Sequence, residues 1–400
     1  NDEQKRMYES NNPDDIPYVS SKDIDVNYRT VVYDNGLRIP SENNTLKIGR
    51  KGSFLLCVEG GSSGRKIVFL EQDVCFVNKL CCFESDQITK FQFYFVQSSN
   101  FQFKFKLSLT GLIGGVSIST LKNFELPFPP KETQNQIVSF LDNKTLKIDE
   151  LIEKTEKKIE LLKEKRTFLI NHCVTKGLNP NVEMKDSGVE WIGEIPIHWD
   201  KTKLSYYCEV KDGTHDTPSY VDNGGIPLVT QKDITKGKLD FSKTKNISYE
   251  DYEQINIRSN VMKGDIIMSM IGSIGNPTIV EVDTPFSIKN VCLFKSSESQ
   301  ENIKFIHYLL SSNILDVELN YNSRGGVQGF VPLDVLRNLL YLKPPIDEQT
   351  QIVEYLDEQT QKIDSTIEKE TQRIELLKEY RQSLISEVVT GKIDVRDWKV

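Results

Sequence analysis

Pro129–Thr175 reads PPKETQNQIVSFLDNKTLKIDELIEKTEKKIELLKEKRTFLINHCVT, and Pro344–Thr390 reads PPIDEQTQIVEYLDEQTQKIDSTIEKETQRIELLKEYRQSLISEVVT. The two stretches align without a gap at a constant offset of 215 residues and share 26 identical residues in 47 positions. A repeat this long lies well outside the roughly 20–50-residue periods of solenoid and propeller arrays. It predicts that the chain is a duplicated two-part module, in which one copy of this stretch closes each half.

Each copy is predicted to form one long helix. Its apolar residues recur at alternating steps of three and four, which is the pattern of a coiled-coil seam. In the two copies these residues are Val138, Leu141, Ile148, Ile152, Ile159, Leu162 and Leu169, then Val353, Leu356, Ile363, Ile367, Ile374, Leu377 and Leu384. Polar residues interrupt the seam at matching places, Thr145, Thr155 and Arg166, then Thr360, Glu370 and Arg381.

The ends of the two helices are marked by residues that suit helix termini. Paired prolines open each copy, and proline costs no hydrogen bond in the first turn of a helix. Gly177 and Gly391 follow the two copies, and glycine adopts the left-handed closing conformation without strain. One such helix could pair with any partner as a generic coiled coil. Two matching copies in one chain make each the best partner for the other, and a pseudo-dyad between equivalent halves makes the pair antiparallel.

A segment with short strand signals precedes each helix. In the first, candidate strands are Gly52–Glu59, Lys66–Leu70 and Phe91–Val96, and in the second they are GDIIMSMIG and NPTIVEV from Gly264 and Asn276. A faint framework repeat links the segments, because IPYVSSKDI from Ile16 matches IPLVTQKDI from Ile226 at six of nine positions. The predicted domains are therefore residues 1–128 and 181–343, with the helical regions at 129–180 and 344–400.

The second domain opens with a segment that the first does not repeat. Met184–Leu204 reads MKDSGVEWIGEIPIHWDKTKL, and nothing like it precedes Ile16. Trp191 and Trp199 are expected to anchor this opening segment in the core, since large aromatic side chains bury much apolar area. Either the first domain has lost the corresponding edge strand, or this sequence does not include it.

Composition limits the class of protein. The chain has 400 residues, a net charge of −8 and 7 cysteines without CxxC spacing, so reduced core cysteines and the cytoplasm are expected. No apolar run approaches the roughly 20 residues of a membrane span. No segment is strongly basic: Lys plus Arg against Asp plus Glu is 15 and 15 for residues 1–128, and 17 and 22 for 181–343. Contacts with nucleic acid would thus depend on local clusters.

Motifs for catalysis are missing from the sequence. The four histidines are far apart and lack metal-ligand spacing with cysteine or each other. GGSSGRK at Gly60–Lys66 lacks the Gly-Lys-Ser/Thr ending of a phosphate-binding loop. No glycine-rich cofactor fingerprint and no Asn-Pro-Pro-aromatic methyltransferase motif is present. The sequence favours a binding protein over an enzyme.

The repeated paired-proline opening, the IELLKExR run and the WIGEIPIHW segment resemble the specificity subunit of Type I restriction-modification systems, and the likeness covers essentially the whole chain. The first copy departs from that pattern by opening with KETQ rather than an acidic-Glu-Gln run. The resemblance implies an α+β fold, with two mixed α/β target recognition domains joined by two long helices in an antiparallel coiled coil. It also implies a non-catalytic protein that reads a split, asymmetric target in double-stranded DNA.

Partners and cofactors follow from the same resemblance. Two modification subunits would dock on the helices and supply S-adenosylmethionine binding, and a restriction subunit, where one exists, would supply ATP-driven cleavage. This chain would itself hold no cofactor. Leu161 and Ile170, with their counterparts Leu376 and Ile385, lie beside the seam and are the predicted partner-binding residues.

Candidate DNA contacts are cations and amides in predicted loops, because these side chains reach phosphates and base edges. They are Lys22, Arg50, Lys51, Arg65, Lys66, Gln231, Lys232, Lys263, Lys289, Asn290, Arg324 and Gln328. Each could instead be an ordinary solvated side chain. The alternatives for the whole chain are a non-enzymatic adaptor with two β-rich binding domains on a coiled coil, and a fused nuclease or methylase. Salt-sensitive binding to duplex DNA would separate the first alternative from the specificity subunit.

Overall fold

The computed structural model describes residues 12, 14–40, 47–85, 88–111, 114–235, 237–272, 274–296, 299, 301–322 and 331–398. The chain divides into two compact units, Asn1–Lys158 with Lys369–Val400, and Ile159–Glu368. The boundary cuts through both long helices. Each unit therefore contains one of the two domains together with part of each helix.

The first unit has two small sheets followed by three short helices. Its strands are β1 (Ile16–Val19), β2 (Arg38–Ile39), β3 (Ile48–Gly49), β4 (Phe54–Cys57), β5 (Ile67–Phe69), β6 (Val74–Phe76) and β7 (Leu80–Phe83). They form sheets of order β2-β1-β6-β3 and β5-β4-β7. The helices are α1 (Thr89–Phe95), α2 (Ser99–Leu107) and α3 (Ile118–Lys122), after which the long helix α4 (Lys131–Lys176) begins.

The second unit repeats this plan with added strands. Its strands are β8 (Met184–Asp186), β9 (Glu194–Pro196), β10 (Asp200–Lys203), β11 (Val210–Asp212), β12 (Tyr220–Val221), β13 (Ile226–Val229), β14 (Ile234–Thr235), β15 (Lys238–Leu239), β16 (Lys245–Ile247), β17 (Ile266–Ser269), β18 (Gly275–Ile279), β19 (Ser287–Ile288), β20 (Val291–Phe294) and β21 (Leu340–Lys343). Short 3₁₀ turns lie at Leu204–Tyr206 and Gln231–Asp233. The helices are α5 (Tyr249–Arg258), α6 (Ile303–Leu310), α7 (Asn313–Asn322), α8 (Leu333–Arg337) and the long α9 (Ile346–Val389).

Strand pairing confirms the duplication. In the first unit β1 runs parallel to β6, and in the second β13 runs parallel to β19. Antiparallel triplets accompany them, of order β5-β4-β7 and β18-β17-β20. The framework repeat has a structural cause, because Asp23 accepts from the backbone and hydroxyl of Ser20 at 2.7 Å, and Asp233 accepts in the same way from Thr230 at 2.8 Å. The KDI motif thus fixes the turn after the parallel strand in both domains.

Candidate strands were predicted with one error. Phe54–Cys57, Ile67–Phe69, Ile266–Ser269 and Gly275–Ile279 confirm four of them. The fifth, Phe91–Val96, is wrong, because this stretch belongs to helix α1 and its C-cap. Phe91 and Phe95 are both buried one helical turn apart, so tertiary packing overrides the strand preference of the aromatic run.

The charged residues that interrupt the seam form ion pairs between the two long helices within each unit. In the first unit the Arg381 guanidinium donates to both Asp149 oxygens at 2.8 and 3.1 Å, and Lys158 Nζ lies 2.5 Å from Glu370 Oε1. In the second, Arg166 Nε lies 2.9 Å from Asp364. Positions earlier in one helix contact positions later in the other. The helix segments of each unit are therefore antiparallel, as the sequence predicts.

A repeated polar contact joins each domain to the helix that follows it. Tyr94 Oη donates to Asp142 at 2.6 Å and lies 3.3 Å from Thr145 Oγ1, while Lys90 Nζ contacts the same carboxylate at 2.9 Å. The second unit repeats these contacts. Tyr308 Oη donates to Asp357 at 2.7 Å and lies 3.3 Å from Thr360 Oγ1, and Lys304 Nζ lies 2.7 Å from the same carboxylate. Two of the three threonines that interrupt the seam, Thr145 and Thr360, are thus used to attach the domains.

The opening segment of the second domain pairs with the strand that precedes its long helix. β10 pairs antiparallel with β21 immediately before helix α9, and Trp199 beside it is fully buried as predicted. Tyr341 in β21 is 0 % exposed, whereas its counterpart Leu126 is 37 % exposed. Within the described residues, the stretch before α4 forms no strand.

Candidate nucleic-acid interface

A cleft in the second domain gathers polar side chains from loops that follow two parallel strands. Gln231 and Lys232 come directly after β13, and Lys289 and Asn290 come directly after β19. Because β13 and β19 are parallel, their carboxyl ends meet at one edge of the sheet, where open sheets commonly bind ligands. The four side chains line a cleft of about 500 Å³. The structure therefore brings together four of the predicted DNA contacts.

Of the two amide side chains in the cleft, Asn290 is oriented by a neighbouring group, because its Oδ1 lies 2.9 Å from His215 Nδ1. The Ser269 hydroxyl donates to the Ile271 carbonyl at 2.9 Å and lies 3.4 Å from Gln231 Oε1, so it holds the Gln231 amide only weakly. Both residues line the cleft, and each carries an NH₂ group. Amide NH₂ groups donate hydrogen bonds, and the major-groove edge of guanine presents only acceptors, O6 and N7.

The Asn290 side chain belongs to a charged network at the rim of the cleft. His215 Nε2 lies 2.9 Å from Asp212 Oδ2, and the Arg258 guanidinium donates to the other oxygen of the same carboxylate. Both hydrogen bonds raise the pKa of His215, the one to Asp212 more than the one to Asn290. An imidazolium can donate from both ring nitrogens. In this form His215 holds the amide oxygen of Asn290 toward its own ring.

Glycine is required where the loop of His215 approaches the strand. A Cβ on Gly213 would lie 2.0 Å from the carbonyl oxygen of Ile288, which no side chain can tolerate. The close approach allows Thr214 to bridge to Lys289 and Lys289 Nζ to donate to Thr217 Oγ1 at 2.8 Å. The Gly213–Thr217 loop thereby forms one wall beside the cleft.

Sequence reasoning missed part of the lining. Tyr220, Lys243 and Lys245 also face this cleft, and Lys245 Nζ lies 4.7 Å above the Tyr220 ring. Lys243 lies in the turn before β16 and Lys245 begins that strand, and the two lysines at 243 and 245 were the available signal. These residues raise the number of lysines at the cleft to four.

Lys263, another predicted residue of the second domain, is not among the residues that line this cleft. It pairs with Asp283 at 2.8 Å on the exposed surface. Arg324 and Gln328 lie outside the described residues.

In the first domain the predicted cations lie in turns that flank the strands. Lys22 lies in the turn after β1, and Lys66 Nζ donates to the neighbouring Ser21 carbonyl oxygen. Arg65 Nη2 donates to the carbonyl of Gly61 at 2.5 Å. Arg50 and Lys51 are exposed in the turn before β4. After β6, Val77 and Asn78 occupy the positions that Lys289 and Asn290 occupy after β19. The sequence analysis missed Asn78, which is exposed, as is Lys79 next to it.

The four predicted partner contacts on the helices divide into two classes. Leu161 is 55 % exposed and Leu376 is 65 % exposed, so both are available to a partner. Ile170 and Ile385 are 1 % and 0 % exposed, and the prediction of surface contacts by these two is therefore wrong. Ile170 packs with Trp199 and Phe305 in the core of the second unit, because the helix face it occupies turns toward the domain.

The described residues offer little for covalent or metal chemistry. No group of three or more His, Cys, Asp or Glu side chains within them could hold a metal ion. All 7 cysteines are free, and burial raises the pKa of the Cys173 thiol to about 11 and that of Cys208 to about 12. Thiols with such values stay protonated and unreactive near neutral pH. In the same part of the chain, no helix has the length and apolar character of a membrane span.

Comparison with known proteins places this geometry in a family context. The family model described as "Type I restriction modification DNA specificity domain" matches residues 2–161 and 196–378. The two matches coincide closely with the two domains and the helical segments that follow them.

Curated relatives carry the same description. The type I restriction enzyme MjaVIII specificity subunit of Methanocaldococcus jannaschii is 27 % identical over 284 residues, covering 69 % of this chain and 64 % of that protein. The EcoBI specificity subunit of Escherichia coli is 25 % identical over 297 residues, covering 71 % of this chain and 61 % of that protein. This chain thus spans under two thirds of these relatives. The MjaIX specificity subunit of the same archaeon as MjaVIII is 24 % identical over 398 residues, covering 96 % of this chain and 88 % of that protein.

Solved structures share the fold. One, described as the structural basis of complex assembly and conformational transition of the type I R-M system, has a TM-score of 0.74 at 15 % identity, covering 94 % of this chain and 92 % of that one. The HsdS subunit from Thermoanaerobacter tengcongensis has a TM-score of 0.53 at 16 % identity, with 94 % and 91 % covered.

Proposed function

This chain belongs to the type I restriction-modification DNA specificity family, and on that premise we propose that it selects the DNA sequence for a complex whose other subunits carry out the chemistry. Each domain reads one half of a split, asymmetric target in double-stranded DNA. The long helices dock two modification subunits, which bind S-adenosylmethionine and methylate adenine. A restriction subunit, where present, uses ATP. This chain is not an enzyme by itself.

The observation that carries the proposal is the cleft of the second domain. Two amide side chains present donors between four lysines, at the carboxyl ends of parallel strands that the first domain repeats. Amides suit base edges and lysines suit phosphates. The two domains carry different residues on one framework, since Lys22 stands where Lys232 does but Ser21 replaces Gln231. Different side chains on like scaffolds read different half-sites.

The proposal is tested by reconstituting the chain with a modification subunit and sequencing the methylated DNA. We expect methylation at a two-part asymmetric motif only when both proteins are present. Exchange of residues 181–343 for those of another family member should change one half of the motif and leave the other. Methylation at unrelated sites, or a change in both halves, would contradict the assignment of one half-site to each domain.

The adaptor alternative makes a different prediction about salt. A protein that neutralises phosphates with lysine releases counterions, so its affinity for duplex DNA falls steeply with salt concentration. An adaptor with two β-rich binding domains has no such dependence. A measured affinity for duplex DNA that does not respond to salt would favour the adaptor.

We expect Leu161→Asp combined with Leu376→Asp to weaken association with the modification subunit by at least about tenfold. Each leucine is exposed at an equivalent position of a helix copy, and a carboxylate in an apolar interface lacks a partner there. Size-exclusion chromatography and a binding titration measure the effect. Leu146→Asp is the control, because Leu146 is 60 % exposed but its counterpart in the second copy is Gln361. Unchanged association of the folded double variant would remove these leucines from the interface.

DNA affinity should fall as the pH rises beyond the ordinary histidine pKa of about 6.5. Asp212 and Asn290 raise the pKa of His215, so its positive charge persists above that value and is lost at higher pH. Loss of one charge near phosphates should weaken binding about fivefold, on the order of 1 kcal/mol. The pH profile of His215→Gln should lack this step. His198→Gln should keep it, because His198 contacts Glu348 at 2.7 Å, away from the cleft.

A further inference from the structure

In the first unit, a short hairpin holds Arg29 in a backbone conformation that favours glycine. Ile24 and Val31 bridge its base, and Asp25 Oδ1 accepts from the backbone N–H groups of Asn27 and Tyr28 at 2.7 Å. Arg29 then takes a φ of +54°, in the left-handed region where a side chain raises the energy. Glycine or asparagine would relieve that strain. The side chain of Arg29 is therefore the feature that needs explaining.

The Arg29 guanidinium enters a small cavity that the hairpin shares with helix segments of the same unit. Its volume is about 150 Å³, and its polar lining includes Asp149, Glu156, Lys378 and Arg381. That is space for roughly five water molecules at the volume each takes in the liquid. A compact oxyanion fits within it.

Every charge at the cavity except that of Arg29 has a partner. Asp149 accepts two hydrogen bonds from Arg381, Glu156 accepts one from Tyr28, and Lys378 lies 3.3 Å from Glu375. Among the described residues, Arg29 forms no ion pair with any carboxylate. Arg29 Nε and Arg381 Nη1 are both buried without a hydrogen-bond acceptor. The cavity thus holds one unpaired positive charge and two unused donors.

Electrostatics at the cavity agree with this count. Burial first, and then the neighbouring charge of Arg381, lower the pKa of Arg29 to about 10, while the charge of Asp149 acts in the opposite direction, so the group remains charged at neutral pH. Both Asp149 oxygens accept from Arg381, and a further anion beside the two guanidinium groups would stabilise both of them. Buried charges are normally paired.

The repeated ion pair of the second unit lacks these features. Arg166 and Asp364 are the counterparts of Arg381 and Asp149, and their contact is 2.9 Å. The Arg166 side chain is 37 % exposed, compared with 10 % for Arg381, so water can solvate it. In the first unit, by contrast, Arg381 is buried and lines the cavity together with Arg29.

We propose that this cavity is an oxyanion-binding site, in which Arg29 and Arg381 together hold phosphate or sulfate, either free or as a group on a larger molecule. The planar guanidinium fork matches the spacing of such oxygens and binds them with two parallel hydrogen bonds. Lys378 and the Asn27 side chain, which also line the cavity, complete its donor set. The site is independent of the DNA cleft and lies in the other unit.

Titration calorimetry and thermal unfolding of the full chain test the proposal, with inorganic phosphate replacing chloride at constant ionic strength. We expect one phosphate per chain and an unfolding midpoint that rises with phosphate concentration. Arg29→Gly removes the guanidinium and relieves the left-handed backbone, so the variant should fold and bind phosphate at least tenfold more weakly. Arg166→Gln, in the equivalent ion pair, should keep the full response.

The source of the oxyanion is separated by titrating adenosine monophosphate alongside phosphate. Binding of both supports a phosphate group on a larger molecule, and binding of phosphate alone supports the free ion. If neither binds the wild-type chain, the proposal is wrong. It is also wrong if Arg29→Gly lowers the unfolding midpoint in chloride but keeps the phosphate response, since Arg29 would then act only in packing.

Discussion

Replacing Gln231 by Glu and Asn290 by Asp should abolish recognition of the half-site read by the second domain. Both residues line the cleft with an NH₂ group that can donate to a base edge, and His215 already occupies the oxygen of the Asn290 amide. The substitutions remove both donors, change the volume little and add two negative charges that phosphates repel. At about 1–3 kcal/mol for each base contact, the loss is roughly 2–6 kcal/mol, or at least about thirtyfold.

Competition binding with duplexes altered in one half-site at a time measures this loss. The half-site of the first domain should still be read, because its cations are unchanged. Gln351→Glu with Gln361→Glu is the matched control, since both residues are exposed on α9 and add the same charge away from the cleft. An unaltered preference at the second half-site would show that other residues read it.

Asp265→Ala should destabilise the second unit by about 3–5 kcal/mol, because it leaves a buried lysine without its partner. Lys295 Nζ lies 2.7 Å from Asp265 Oδ2, and the two side chains are 3 % and 0 % exposed. Asp265 also accepts from the backbone N–H groups of Met262 and Ser296 at 2.8 Å. The carboxylate thus connects the turn before β17 to the end of β20.

Urea unfolding followed by fluorescence of the tryptophans tests this effect. Asp283→Ala is the control, because Asp283 pairs with Lys263 at the same 2.8 Å but is 79 % exposed, and such surface pairs contribute at most about 1 kcal/mol. Adding Lys295→Met to Asp265→Ala should recover part of the loss by removing the unpaired charge. Equal costs for Asp265→Ala and Asp283→Ala would mean that the buried pair contributes no more than a surface pair.

The sequence by itself determined the duplication, the two long helices and the antiparallel sense of their pairing. These features depend on local regularities, namely a heptad pattern kept over 47 residues, prolines at one end and glycine at the other. The KDI repeat was also visible in the sequence, and the structure explains it, because Asp23 and Asp233 accept from groups only three residues away. Periodicity and short-range capping can be recognised within a short stretch of consecutive residues.

The tertiary structure decided which side chains form a site. Gln231 and Asn290 are 59 residues apart and meet only because β13 and β19 lie side by side and parallel. Packing also makes Phe91–Val96 helical, although the residue types favoured a strand. It buries Ile170, although the position of Ile170 beside the seam suggested an exposed face. Arg29 carries no sequence motif, and only the folded hairpin brings it to Arg381. Contacts between distant segments are set by the energy of the whole core, which no local window of sequence contains.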